Sequence, residues 1–228
     1  LEIQRLTDEK DVLLGLHSRK NATAWRKPSR ITKGKAAAVF VVSDVHMGER
    51  VRRETVLGLN EFSNRICAKR IESATNRWLL LLDKERSIAD IREGLIFLGG
   101  DLIGGKIYSD QAEVNDLGLA SSTEAAEACL HRMLLTIRER SELDSLHVVC
   151  LGGNHDRTTQ KVQHSSFYEN SFASLVYLHL RNRFAGDDGI RFTIGQGEYQ
   201  DVSVFDWNIR LTHGHRVKFA GEIGRAHV

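Results

Sequence analysis

The sequence contains one proline, three cysteines and no long hydrophobic run among its 228 residues. The cysteines are odd in number and form no C-x-x-C pair, which argues against a disulfide framework and a zinc ribbon and favours buried free thiols. The longest apolar segments, residues 36–42 and 78–82, are far shorter than the roughly 20 residues of a membrane-spanning helix. The first ten residues are rich in charge, unlike a secretory signal. We therefore expect a globular, cytoplasmic protein with no membrane partner.

Hydrophobic residues make up 41% of the chain, enough to bury a sizeable core and to exclude a disordered protein. The charge is uneven, because residues 1–35 contain nine Lys or Arg against four Asp or Glu. Seven of these basic residues lie in the segment 19–35, which has no acidic residue. This basic segment suggests an arm that contacts the DNA backbone, although a solvated linker explains it equally well. We divide the chain into an N-terminal helix and basic arm or linker, residues 1–36, and a main domain, residues 37–228.

Apolar runs alternate along the chain with segments of helical periodicity. Strands buried on both faces are predicted at residues 36–42, 94–98 and 146–151. Helices are predicted from Asn60 or Ser63, from Ser121 or Ser122 to about Arg140, and near residues 167–183. Shorter strands are predicted near residues 190–194, 202–205 and 208–212. This alternation predicts an α/β fold with a largely parallel sheet and helices on its faces.

Clusters of polar residues follow four of the predicted strands. The clusters are Asp44-x-His46, Gly100-Asp101, Gly153-Asn-His-Asp156 and Thr212-His-Gly-His215. The carboxyl ends of parallel strands are where α/β sheets bind ligands. Mixed carboxylate, amide and imidazole donors suit Mn, Fe, Zn or Ni. Each cluster alone is a weak signal, but the ordered set predicts a metal site.

This ordered set resembles the calcineurin-like metallophosphoesterase superfamily, whose pattern is D-x-H, G-D, G-N-H-D/E, a single His and a final G-H-x-H. Residues 43–48, 58–62, 152–159 and 210–214 are similar to phage- and prophage-type members. The resemblance implies a β-sandwich flanked by helices in four αββα layers. It also implies a dinuclear metal-dependent phosphoesterase, a phosphodiesterase or nuclease that acts on DNA through a metal-activated hydroxide.

The resemblance assigns roles residue by residue. Asp44 and His46 would bind the first metal ion, Asn154 and His213 the second, and Asp101 would bridge the two, with manganese as the expected metal. His155 would stabilise the transition state or act as the general acid, and Asp156 would orient it. Arg157 and Lys161 are candidates for holding the substrate phosphate, although a solvated loop explains them equally well.

The final G-H-x-H block of the superfamily is not matched. Thr212 precedes His213 where that block has Gly, so we assign His213 to the single-His block. The resemblance then implies that the C-terminal part of the domain is missing, as in a piece of a longer protein. His215 is a further candidate ligand that would complete the site locally, as is His227. Two other functions stay open: a hydrolase of small phosphoesters or nucleotides, and a catalytically inactive phosphoesterase-fold binding subunit.

Overall fold

The structure is a computed structural model that describes residues 33–107, 115–161 and 168–215. Four parallel strands form one sheet in chain order: β1 (Gly34–Val42), β2 (Ala89–Leu98), β3 (Ser145–Cys150) and β4 (Ile190–Ile194). Three helices connect them: α1 (Asn64–Glu85), α2 (Leu119–Arg140) and α3 (Phe172–Arg183). A 3-10 helix (Arg53–Val56) precedes α1, and β5 (Tyr199–Val204) and β6 (Trp207–Thr212) form an antiparallel hairpin. The predicted α/β class with a parallel sheet is confirmed.

The helices and the hairpin cover opposite faces of the sheet. Because consecutive parallel strands lie side by side, right-handed crossovers put all three helices on one face. Alternate residues of β2 show the division: Ile96 and Leu98 belong to the core cluster that includes the helices, whereas Leu95 and Phe97 pack with the hairpin residue Val202. Burial on both faces explains why the segment 94–98 is apolar without interruption.

Of the two helix caps predicted from the sequence, one is confirmed and the other is wrong. Ser63 caps α1, since its hydroxyl accepts a hydrogen bond from the Ile66 N–H at 3.4 Å. The predicted cap of α2 at Ser121 or Ser122 is wrong, because the helix begins at Leu119 after Gly118 and no side chain caps it. Ser122 is buried inside the helix, where it packs so closely against Gly48 that a Cβ at that glycine would overlap its hydroxyl. Tertiary packing therefore decides the position of this serine.

The pairing of β1 with β2 continues beyond both strands into the loops that follow them. The backbone N–H of Asp44 donates to the Gly100 carbonyl at 3.0 Å, and that of His46 donates to the Asp101 carbonyl at 2.9 Å. These bonds hold the loop after β1 against the loop after β2.

The buried Tyr177 of α3 links the ends of β2 and β3. Its hydroxyl lies 2.8 Å from the Leu151 carbonyl oxygen and 3.2 Å from the Leu98 carbonyl oxygen. The polar loops after β1, β2 and β3 therefore start from fixed points at one edge of the sheet.

Further sequence-based expectations concern membrane-spanning helices, the cysteines and the two ends of the chain. In the described residues, no helix combines the length and apolarity needed to cross a bilayer. The three cysteines are free thiols, and Cys67 and Cys150 are buried. Of the basic segment 19–35, only residues 33–35 are described, and there the Lys33 ammonium donates to the Arg86 carbonyl at 2.7 Å. The rest of residues 1–36 and His227 lie outside the described residues.

Candidate metal centre

Asp44, His46 and Asp101 meet at the carboxyl ends of β1 and β2. One potential ligand atom of each lies within 4.8 Å of the others. All three backbones are left-handed, with φ angles of 55°, 48° and 50°. Non-glycine residues rarely adopt this conformation, and those that do cluster at functional sites. We name these three candidate ligands the first ligand set.

The side chains of the first ligand set are oriented by local partners. The Ser43 hydroxyl donates to Asp44 Oδ2 at 2.5 Å, and His46 Nε2 lies 3.8 Å from Asp44 Oδ1. Glu49 Oε2 lies 3.3 Å from His46 Nδ1, but without hydrogen-bond geometry, so among the described residues this buried nitrogen has no hydrogen-bond partner. Glu49 was not singled out from the sequence. The sequence indicates it only through its position, as an acidic residue three positions after His46.

Asp101 and Asn154 also lie beside His213, which follows β6, and we name these three candidate ligands the second ligand set. The His213 Nε2 lies 3.1 Å from Asp101 Oδ2 and 3.1 Å from Asn154 Oδ1. Its Nδ1 lies 2.7 Å from the Gly99 carbonyl oxygen, which can only accept, so Nδ1 carries the proton and donates it. Nε2 is then the nitrogen available to a cation. The side chains of His213 and Asp101 are only 5% and 3% exposed.

The Asp156 carboxylate joins the loops that carry the two ligand sets. Its oxygens accept four backbone N–H bonds, which come from Asp101 at 2.6 Å, Leu102 at 2.7 Å, Ile103 at 3.1 Å and Gly153 at 3.1 Å. Asp156 is fully buried, so it cannot reach a substrate. Asp156 was expected to orient His155, and its carboxylate fixes the loop of Asp101 as well.

The loops after β2 and β3 approach each other so closely that only glycine fits at two positions. A Cβ at Gly153 would overlap the Asp101 carboxylate, and a Cβ at Gly100 would overlap the backbone of Gly153. Gly100 also has a φ of +88°, which favours glycine. Across this contact the His155 N–H donates to Asp101 Oδ1 at 2.7 Å. The His155 ring stands edge-on to the His46 ring with centroids 5.0 Å apart, so it lies beside the first ligand set.

The two candidate phosphate-binding residues, Arg157 and Lys161, have different surroundings. The Arg157 guanidinium donates to the backbone carbonyls of Asn154, Thr159 at 2.9 Å and Gln160 at 3.1 Å. Because its donors are used within this loop and the residue is 9% exposed, Arg157 secures the Asn154 loop and is not presented to a phosphate. Lys161 is exposed. Its backbone carbonyl accepts a hydrogen bond from the Thr159 hydroxyl at 2.8 Å.

The remaining candidate ligand, His215, is exposed and lies close to the second ligand set. Its ring centroid is 5.4 Å from that of His213. The structure therefore brings Asp44, His46, Asp101, Asn154, His155 and His213 together, with His215 at their margin.

The carboxylates set the electrostatics of this region. The neighbouring His46 imidazole holds the pKa of Asp44 at about 2, despite partial burial. Burial lowers the pKa of His213, but the hydrogen bond with Asp101 outweighs it and raises this pKa to about 9. Burial, together with the Asp101 charge, raises the pKa of Asp156 to about 6. The cluster thus favours positive charge at the position where the ligand atoms converge.

No family model matches this chain, and no curated protein matches it.

Proposed function

We propose that this protein is a phosphoesterase that uses two divalent cations at the carboxyl edge of its parallel sheet. The observation that carries the proposal is the position of Asp101. Its carboxylate lies in the first ligand set with Asp44 and His46, and in the second with Asn154 and His213. A carboxylate shared by two adjacent ligand sets is the arrangement needed for two cations to act on one phosphoryl group.

The donor chemistry fits such a pair of cations. The five side chains offer two carboxylates, one amide oxygen and two imidazole nitrogens. Nitrogen and oxygen donors without thiolates suit Mn, Fe, Zn or Ni, and the share of oxygen donors favours Mn²⁺. When bound, such ions supply Lewis-acid activation of water and stabilise negative charge on the phosphoryl oxygens.

The other residues of the cluster would position the ligands and protonate the leaving group. Asp156 and Arg157 hold the loops that carry Asp101 and Asn154. His155 is anchored through its backbone N–H on Asp101, so its ring stays beside His46. A protonated His155 would donate its proton to the leaving oxygen of the ester, a contribution of roughly 10²–10⁴-fold for general acid catalysis.

The finer parts of the proposal concern the fold and the substrate. The hairpin of β5 and β6 covers the sheet face opposite the helices, as the second sheet of an αββα sandwich would. We assign phosphodiesters, and DNA in particular, as substrates because the basic segment 19–35 would add contacts to the phosphate backbone. Replacing Arg26, Lys27 and Arg30 together by Gln should then weaken DNA binding and flatten its salt dependence.

The test measures metal content and hydrolysis in the same samples. Protein dialysed against Mn²⁺ should contain two ions per chain and hydrolyse bis(p-nitrophenyl) phosphate faster than p-nitrophenyl phosphate. Asp101→Asn should lose both ions and at least about a hundredfold in rate, beyond the 10–100-fold typical of losing a residue that only supports a ligand. The matched control is Asp201→Asn, since Asp201 is an exposed carboxylate on β5 that pairs with Arg210. Full metal content and activity in Asp101→Asn would refute the proposal.

The same assay separates the two alternatives. Faster hydrolysis of p-nitrophenyl phosphate would favour a hydrolase of small phosphoesters. Two bound ions with no turnover of either ester would favour the inactive binding subunit.

A further inference from the structure

A cavity of about 230 Å³ lies between the end of β1 and α1, and Asp44 of the first ligand set forms part of its wall. Most of its other lining is apolar and includes Val45, Phe62 and Ile71. The described contacts of the first ligand set do not use these residues. The cavity therefore offers an apolar space that borders one residue of the candidate metal centre.

An arginine and an aromatic ring stand together in the wall of this cavity. The Arg70 guanidinium carbon lies 5.5 Å from the centroid of the Phe62 ring, within the range of a cation–π contact. Among the described residues, the ion pairs do not include Arg70. Its positive charge is thus available at the rim of an otherwise apolar space.

The Phe62 ring has a fixed position in the wall of the cavity. Phe62 and Val51 exchange two backbone hydrogen bonds, of 3.0 and 3.1 Å, and the Phe62 side chain also packs against the main core. Because the Arg70 guanidinium lies over this fixed ring, the two form a stack that a further flat group can extend with little loss of freedom.

We propose that this cavity binds one nucleobase of the substrate, next to the phosphate that is hydrolysed. The inference rests on the proposed function, because Asp44 places the cavity beside the cations. A nucleotide combines a flat aromatic group with an anion, and the cavity presents an apolar wall, an aromatic ring and the Arg70 cation, which has no ion-pair partner in the described part of the chain. Bases stack on aromatic rings and guanidinium groups without strong sequence preference.

The size of the cavity narrows the substrate class. A volume of about 230 Å³ is below the roughly 300–1,000 Å³ of pockets that enclose drug-sized ligands, so the cavity has room for one base and not for a base pair. A base that enters it must leave its stack in a duplex. The substrates are therefore single-stranded DNA, frayed DNA ends or free nucleotide esters, in preference to intact duplex.

Binding of two small probes to the Mn²⁺-loaded protein tests this inference. Thymidine 5′-monophosphate carries a base, and 2-deoxyribose 5-phosphate is the same phosphate without it. Isothermal titration should show at least about tenfold tighter binding of the nucleotide, the lower part of the range for one stacked base. Phe62→Leu keeps an apolar side chain but removes the ring, so it should abolish this preference. Arg70→Gln should weaken both probes.

Arg65→Gln is the matched control, since Arg65 is also on α1 but lines a different cavity. It should leave both affinities within twofold of the wild type. Equal melting temperatures and metal contents will show that the variants are folded and loaded, and Arg70→Gln changes only an exposed residue.

Nucleotide binding that equals sugar-phosphate binding, or that survives both substitutions, overturns the subsite. The protein could instead bind the nucleotide, and both variants could lose this binding, while bis(p-nitrophenyl) phosphate is not hydrolysed. That result overturns the proposed function but supports the subsite.

Discussion

The two ligand sets that share Asp101 are built in different ways. Asp44 and His46 come from one short loop after β1, and their side chains are 61% and 21% exposed. Asn154 and His213 come from segments separated by 59 residues, and the His213 side chain is 5% exposed. In the first set the Asp44 carboxylate accepts a hydrogen bond from its sequence neighbour Ser43, and the backbones of Asp44 and His46 are bonded to the loop after β2. The second exists only because the loop after β3 and the end of β6 meet.

This difference indicates how each set should respond to change. An exposed loop can relax around an altered side chain, so damage to the first set should stay local. The second set is tied to the core through the Asp101 carboxylate and the Gly99 carbonyl. A change there should therefore affect the free energy of unfolding as well as metal binding.

Replacing Asp156 should have the largest effect, because it removes the anchor common to both sets. Asp156→Ala leaves four backbone N–H groups without their acceptor. We expect a loss of about 3 kcal/mol or more in the free energy of unfolding, and weak binding of both ions. Urea unfolding with chelator present measures the first effect, and metal analysis measures the second. Asp144→Ala, at an exposed carboxylate paired with Arg92, is the control. Wild-type stability in Asp156→Ala would contradict the anchoring role.

Gly153→Ala should come next, since its methyl group would displace the shared carboxylate without removing any ligand. We expect metal affinity to fall by about 10–100-fold in both sets, as for other changes that disturb ligand orientation. Titration with Mn²⁺ measures the affinity. Gly186→Ala is the control, because nothing lies within 4 Å of a Cβ at that position. Unchanged affinity in Gly153→Ala would mean that the Asp101 loop tolerates the shift.

Single substitutions should separate the two sets. His213→Gln and Asp44→Asn should each reduce the metal content from two ions to one. Only His213→Gln should also destabilise the metal-free protein, by about 1–2 kcal/mol, because it breaks buried hydrogen bonds to Asp101 and Gly99. Metal analysis and chemical unfolding of both variants test this contrast. Equal destabilisation by the two substitutions would show that the sets are not built differently.

The smallest effects should appear in the pH dependence of the metal-free protein. The pKa of His213 is raised from 6.5 to about 9, so its contribution to stability is present below pH 6.5 and is lost as the pH rises through 9. The pKa of Asp44 is lowered from 3.8 to about 2, so its contribution is present above pH 3.8 and is lost as the pH falls through 2.

Melting temperatures recorded against pH with chelator present measure both windows. His213→Gln should remove the alkaline decline, and Asp44→Asn should remove part of the acid decline. Identical profiles for the wild type and both variants would contradict these assignments.

The sequence alone predicted the features that depend on local pattern. The apolar runs gave the strands of the parallel sheet, and Ser63 was among the two candidate caps of α1. Asp44 and His46 were identified because one motif contains them both. The order of the polar clusters also placed Asn154 and His213 in the candidate site, through the resemblance, although nothing in their spacing shows that they meet.

The roles of Asp156 and Arg157 were decided only by the tertiary structure. Asp156 accepts from amides more than 50 residues away in the chain, and Arg157 donates to carbonyls of its own loop. A carboxylate or guanidinium in a sequence does not show whether backbone groups or a ligand will satisfy it. Periodicity and short motifs are properties of neighbouring residues, and a sequence carries them directly. Hydrogen bonding in a buried cluster depends on which loops the sheet brings together, and on the cost of leaving any of their polar groups unpaired.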